Sequence, residues 1–399
     1  MIRRITSLLP YPMCAGLYAL ANAFPGITES RYSLGAYQSI RRWLQWAFGG
    51  WPFSAAEIAV YVIALAVISR IASGLASALR GRVRGLVNAA WDIVAGVGVA
   101  CLLFVAMWGI NNCRLPFSEA AGLDVRPAPT GELEAACKKL MARSGELRVA
   151  AAGSMGERGA AEPGMGERGA AAGSLGGALP LEGGKSSALS RAPEGFAALA
   201  SRFPSLGLGE EAGRGGQGSP PPSGGAGLAV GTPKPVFASK LMSYCGITGV
   251  YFPMTGEANV NMDIQDAEAP FTMCHELAHQ LGYAREDEAN FIAWLACDAS
   301  PYADFRYSGN LMAFLHLMDR LYEADPGRHA AVLAACPPEV ASDLAEMGAY
   351  WQLHEGVVSD ASARVNDAFL KINGQQEGVA SYGRMADLML AYLRAPPGQ

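Results

Sequence analysis

Charge is scarce in this chain. Asp, Glu, Lys and Arg make up only 17% of its 399 residues, against 51% hydrophobic residues, and that balance points to a membrane class rather than a fully solvated globule. The net charge of −5 leaves no basic footprint of the kind nucleic-acid binding needs, so nucleic acid is excluded as a partner. No phosphate-cradling glycine motif stands out either. Histidine is rarer still, with five in all, and two of them stand four apart in His275-Glu276-Leu277-Ala278-His279.

That run sits in a stretch with helical periodicity. Pro270 suits a first turn, Phe271, Cys274, Ala278 and Leu281 recur at helical spacing, and Gly282 ends the run. On a helix, histidines four apart share a face, so both imidazoles can hold one Zn²⁺ while Glu276 reaches a water on it as general base. Such a site needs a third protein donor and an open position for water. Acidic candidates come after the Gly282 turn at Glu286, Asp287 and Glu288, opening a second apolar helix through Phe291, Ile292, Leu295 and Ala296.

The apolar excess lies in the first 110 residues, and three segments read as spans: Leu8 to Phe24, Ala55 to Ile71 and Ala89 to Ile110. The first, with Pro10 and Pro12, also resembles a signal peptide ending near Ala21-Asn22-Ala23; two further spans favour its retention. Arg3 and Arg4 before the first span, and Arg70, Arg80, Arg82 and Arg84 around the second loop, place those segments in the cytoplasm. Everything after Ile110 is then expected outside, beside the lipid bilayer.

Residues 144–235 are rich in Gly, Ala, Ser and Pro, with Met155 to Ala161 repeated as Met165 to Ala171, and read as a disordered insert. Residues 111–143 and 236–399 are expected to form the folded domain. It should be mostly α, with a short hairpin at Gly249 to Phe252 and Ala258 to Asn261, and helices at Leu311 to Tyr322, Glu339 to Lys371 and Val379 to Leu393. Tyr307, Tyr382, His316 and His354 are candidate oxyanion stabilisers, each weighed against a packing role. Cys245, Cys274, Cys297 and Cys336 would face an oxidising compartment, with no connectivity fixed by spacing.

Pro270 to Leu295 resembles the gluzincin branch of the HExxH peptidases. The resemblance implies a zincin-like α+β domain, with Glu286 as third zinc ligand, Glu288 as its rival, and Asn290 steadying a ligand imidazole. The spacing departs from the family, since only six residues separate His279 from Glu286. The chain as a whole is similar to the bacterial membrane family DUF3810, through Cys274 to Gln280, Glu286 to Phe291, Tyr307-Ser308, Asn366 to Lys371 and Ser381 to Met385. That similarity implies a membrane-tethered zinc peptidase and supplies no substrate; with the arginine pattern, the expectation is a multi-pass protein of the bacterial cell membrane whose catalytic domain is extracytoplasmic and acts on a peptide or protein. The alternative is a non-catalytic membrane receptor or assembly protein with a structural or vestigial zinc site.

Overall fold

The computed structural model describes residues 6–159, 181–202, 230–373, 375 and 384–395. The chain divides into two compact units, Met1–Leu115 with Tyr251–Glu257, and Pro116–Val250 with Ala258–Gln399.

The first unit is helical: α1 (Pro10–Ala23), α2 (Tyr37–Phe48), α3 (Ala55–Leu79) and α4 (Arg84–Met107), with a π-helical stretch at Thr28–Ala36. The 25 and 24 residues of α3 and α4 are long and apolar enough to cross a membrane. At 1.5 Å per residue each spans about 36 Å, against a hydrocarbon layer of roughly 30 Å. Their apolar side chains, among them Ile63, Leu65 and Ile68, point outward, as lipid-facing residues would. The Ser54 hydroxyl caps α3 by accepting from the Glu57 N–H at 2.9 Å. The Glu257 carboxylate accepts from two further donors, the Ala55 and Ala56 N–H groups, at 3.1 and 2.7 Å, so the first turn of α3 has few orphan donors. The expected third span at Leu8 to Phe24 is corrected: α1 has only 14 residues, about 21 Å. Proline explains it, since Pro10 fixes where α1 begins and Pro25 stands just past its end.

The second unit contains α5 (Thr130–Gly159), α6 (Gly184–Arg202), β1 (Lys234–Val236), α7 (Ser239–Tyr244), β2 (Gly249–Phe252), β3 (Glu257–Asn261) and α8 (Ala269–Gln280), then α9 (Glu286–Ala299), α10 (Ala303–Ala324), α11 (Pro326–Ala334), α12 (Pro338–His354), α13 (Val357–Ile372) and α14 (Arg384–Arg394). The first residue of β3 and the end of β2 are grouped with the first unit. The sheet order is β1-β3-β2, with β1 parallel to β3 in the register Lys234↔Asn259, Pro235↔Val260, Val236↔Asn261. β2 and β3 are joined by four residues ending in Gly256 at φ +67°, a link too short for a parallel crossover, so they form a hairpin. The core gathers around α8, α9 and α10 through Met273, Leu277, Phe291, Ile292, Phe305 and Phe314. The fold is thus mostly helical with a small β element, as expected, but the described sheet adds the parallel strand β1 to the expected hairpin.

The disordered insert expected at 144–235 needs correction. α5 runs on to Gly159 with Leu147 and Ala151 buried, and α6 buries Ala188, Ala192, Phe196 and Leu199 in the main core. These residues recur every three to four positions, so α6 has an apolar stripe despite its bland composition. Small residues there serve close packing: a Cβ at Gly195 would run into the Ala296 carbonyl oxygen. Residues 160–180 and 203–229 of that stretch, including the second copy of the repeat, lie outside the described residues. The segment Glu339 to Lys371, read as one helix, is two, α12 and α13, parted at Glu355 and Gly356.

Candidate metal centre

α8 is buried on almost every side; Phe271, Met273, Cys274, Leu277 and Ala278 all lie inside. Pro270 stands in its first turn, where a missing N–H costs nothing. The next donor, the Phe271 N–H, is satisfied by the Ser308 hydroxyl at 3.0 Å. This gives the Tyr307-Ser308 pair a structural purpose, anchoring the helix that carries the histidines. One turn further on, the rings of His275 and His279 have centroids 4.5 Å apart and stand nearly perpendicular, at 87°.

The chain leaves α8 through Gly282, whose φ of +94° suits glycine. The Gly282 and Tyr283 N–H groups bond back to the His279 and Ala278 carbonyls at 3.0 and 3.2 Å. This turn delivers the Tyr283 carbonyl oxygen to 2.7 Å from His279 Nδ1. A carbonyl can only accept, so Nδ1 carries a proton, and Nε2, which faces Glu286, is the nitrogen that would serve as ligand once a metal displaces its own proton.

α9 opens at Glu286 with Arg285 as its N-cap residue. The Glu286 carboxylate lies 3.3 Å from His275 Nε2 through Oε2 and 3.5 Å from His279 Nε2 through Oε1. One donor atom from each of the three side chains falls within 4.8 Å of the others. Glu288 is occupied elsewhere: its Oε1 accepts the Phe117 N–H at 2.7 Å and pairs with Arg285 Nη2 at 3.0 Å. Of the two rivals, then, Glu286 is the one beside the histidines.

The electrostatics favour a positive charge at this point. Burial alone would lower the pKa of His279, but the Glu286 carboxylate outweighs it and lifts the imidazole to about 9. Burial likewise opposes the charge on Glu286, yet His279 and His275 hold it well below the usual carboxylate range. A proton or a metal ion can supply that positive charge. Two imidazole nitrogens and one carboxylate oxygen match the donor set of zinc sites that keep an open position, so the residues present fit such a metal. Glu276, only 3% exposed, adds its negative charge to the same neighbourhood, where it helps raise the pKa of His279.

Other sequence candidates fall elsewhere. Asn290, expected to steady a ligand imidazole, has no hydrogen-bond partner for Nδ2 among the described residues. The Tyr283 carbonyl takes that role for His279. Tyr307 is fully buried and its hydroxyl donates to Asp343 Oδ2 at 2.5 Å, beside the bond from Arg148 Nε to the same oxygen at 2.7 Å. That commitment corrects its reading as an oxyanion stabiliser. Tyr382 lies outside the described residues. Burial, together with the charge of His275, lowers the pKa of His316 to about 4, so it is neutral near pH 7. His354 donates from Nδ1 to the Tyr350 carbonyl at 2.8 Å and packs on Tyr244. All eight cysteines are free thiols.

Sequence reasoning missed the Tyr283 carbonyl because a backbone oxygen leaves no mark in the residue type; Gly282 was its only signal. No curated protein and no solved structure matches the chain. The profile of one family, described as a protein of unknown function, DUF3810, matches residues 32–390. That match takes in α2 to α13 and most of α14, including every residue of the His275, His279 and Glu286 cluster, and the chain therefore belongs to the DUF3810 family.

Proposed function

We propose that this chain is a membrane-anchored, zinc-dependent peptidase acting on an extracytoplasmic or membrane-proximal protein. The observation that carries the reading is the convergence of His275, His279 and Glu286 within 4.8 Å, next to the buried Glu276 on the same helix as the histidines. Bound by these three side chains, Zn²⁺ supplies Lewis acidity toward a carbonyl and toward water. The chain's own residues do the rest. The Tyr283 carbonyl fixes the His279 ring in the tautomer that presents Nε2. Glu276 takes a proton from the attacking water on a carboxylate oxygen and passes it to the leaving amine nitrogen as the peptide bond breaks. β2 stands at the edge of the described sheet, which suits it to align an extended peptide by strand addition, with backbone affinity and limited side-chain selectivity.

α3 and α4 would anchor the chain in the bilayer, and Arg80, Arg82 and Arg84 between them favour a cytoplasmic loop. The chain beyond Met107 would then lie on the outer face. The alternative, a receptor or assembly protein with a closed structural zinc site, calls for a fourth protein donor. The engagement of Glu288 with Phe117 and Arg285 supports the open site instead.

The test is metal analysis of the purified full chain in detergent, paired with cleavage of an unbiased peptide library. About one zinc per chain is expected, with cleavage lost to a chelator and restored by Zn²⁺. Glu286→Gln should lose the metal and Glu288→Gln should keep it. Zinc-loaded chain that cleaves nothing would favour the structural site.

A further inference from the structure

Gly249 opens β2, and its φ is not positive, unlike those of Gly246, Gly256 and Gly282. The backbone there would accept any residue, and a glycine inside a strand weakens it unless something approaches closely. Something does. A Cβ at position 249 would stand 2.5 Å from Glu276 Oε1, 2.7 Å from its Cγ and 2.9 Å from its Cδ. Real Cβ atoms essentially never come that near, so one of the two groups must shift. The group met is the side chain that stands between the two histidines on α8 and has the role of general base in the peptidase reading.

We infer that Gly249 is a positioning residue: its bare backbone forms one wall of the space in which the Glu276 carboxylate sits, and glycine is required there by Glu276 rather than by the strand. The functional part of this inference rests on the peptidase reading; the steric part does not. An alanine at 249 would push the carboxylate off its line to the water, and the three atoms nearest its Cβ all belong to Glu276, none to His275, His279 or Glu286. The metal donors would survive while the proton transfer failed.

A double-mutant cycle on the full chain in detergent separates the two parts. Gly249→Ala should lower the melting temperature when Glu276 is present and leave it unchanged in a Glu276→Ala background, because the atoms it strikes are then gone. Zinc content should stay at the wild-type level throughout. This readout needs no turnover, so it stands even where the peptidase reading fails. Where cleavage is measurable, Gly249→Ala should lower kcat by about 10²-fold with KM little changed, since a displacement of about 1 Å at a reacting group has that effect. Should Gly249→Ala alone fail to fold, the Gly249→Ala/Glu276→Ala chain should fold. Equal melting shifts in both backgrounds, failure of both chains to fold, or wild-type kcat in Gly249→Ala would overturn the inference.

Discussion

His279 Nδ1 donates to the Tyr283 carbonyl at 2.7 Å, and the turn that makes this contact depends on Gly282 at φ +94°. The candidate metal centre therefore rests partly on a residue with no side chain. Gly282→Ala should cost about 1 kcal/mol or more in stability, since alanine is strained at that φ. With the Tyr283 carbonyl displaced, zinc affinity should fall by about 10 to 100-fold, as when other outer partners of ligand histidines are lost. Denaturant unfolding and competition with a chromophoric chelator would measure the two effects.

Tyr307 gives a contrasting expectation. Its hydroxyl belongs to the buried Asp343 and Arg148 network, so Tyr307→Phe should destabilise by about 1.5 to 3 kcal/mol through the lost hydrogen bond to a charged group, Asp343 keeping its pairing with Arg148. Zinc content and kcat should stay unchanged. A loss of kcat with stability intact would return Tyr307 to the site.

Glu268 should impose a pH dependence on stability. Burial raises its pKa from the ordinary 4.5 to about 7, against the weak pull of the Trp351 indole N–H at 3.3 Å and the charge of Lys185. An acid with a raised folded pKa holds its proton more tightly when folded. The folded state is therefore favoured most below about pH 4.5, and loses stability as the pH rises from there to about 7, by about 3 kcal/mol at the upper limit. Above pH 7 the effect is complete. Glu268→Gln should flatten this part of the profile, and melting temperatures of the two chains between pH 4 and 8 would show it.

The α6 helix yields a test of packing. Phe196 is wholly buried within the main core, so Phe196→Ala should cost about 3 to 5 kcal/mol. A change within about 0.5 kcal/mol, as at a solvated surface, would show that α6 does not contribute to that core.

How much of the fold and the site was legible in the sequence depended on how far apart the determinants lie. His275, Glu276 and His279 were legible because their geometry is fixed by helical periodicity within five residues. Glu286 could not be parted from Glu288 on local grounds. The distinction lies in where α9 starts and in the Phe117 N–H, 171 positions away. The α6 helix was hidden because Gly, Ala and Ser weigh toward low complexity in a composition count, whereas their close packing on α9, at Gly195 and Ala296, arises only in three dimensions. The short α1 was legible in its prolines, which argue against a span where mean hydropathy argues for one.

The peptidase reading turns on Glu276 serving as general base without holding the metal, and Glu276→Gln separates those two roles. The variant should keep zinc at the wild-type level and melt near the wild-type temperature while peptide cleavage falls by about 10²-fold or more. His275→Ala and His279→Ala, measured beside it, should lose the metal itself. Full cleavage by Glu276→Gln, or loss of zinc from it, would be incompatible with that role.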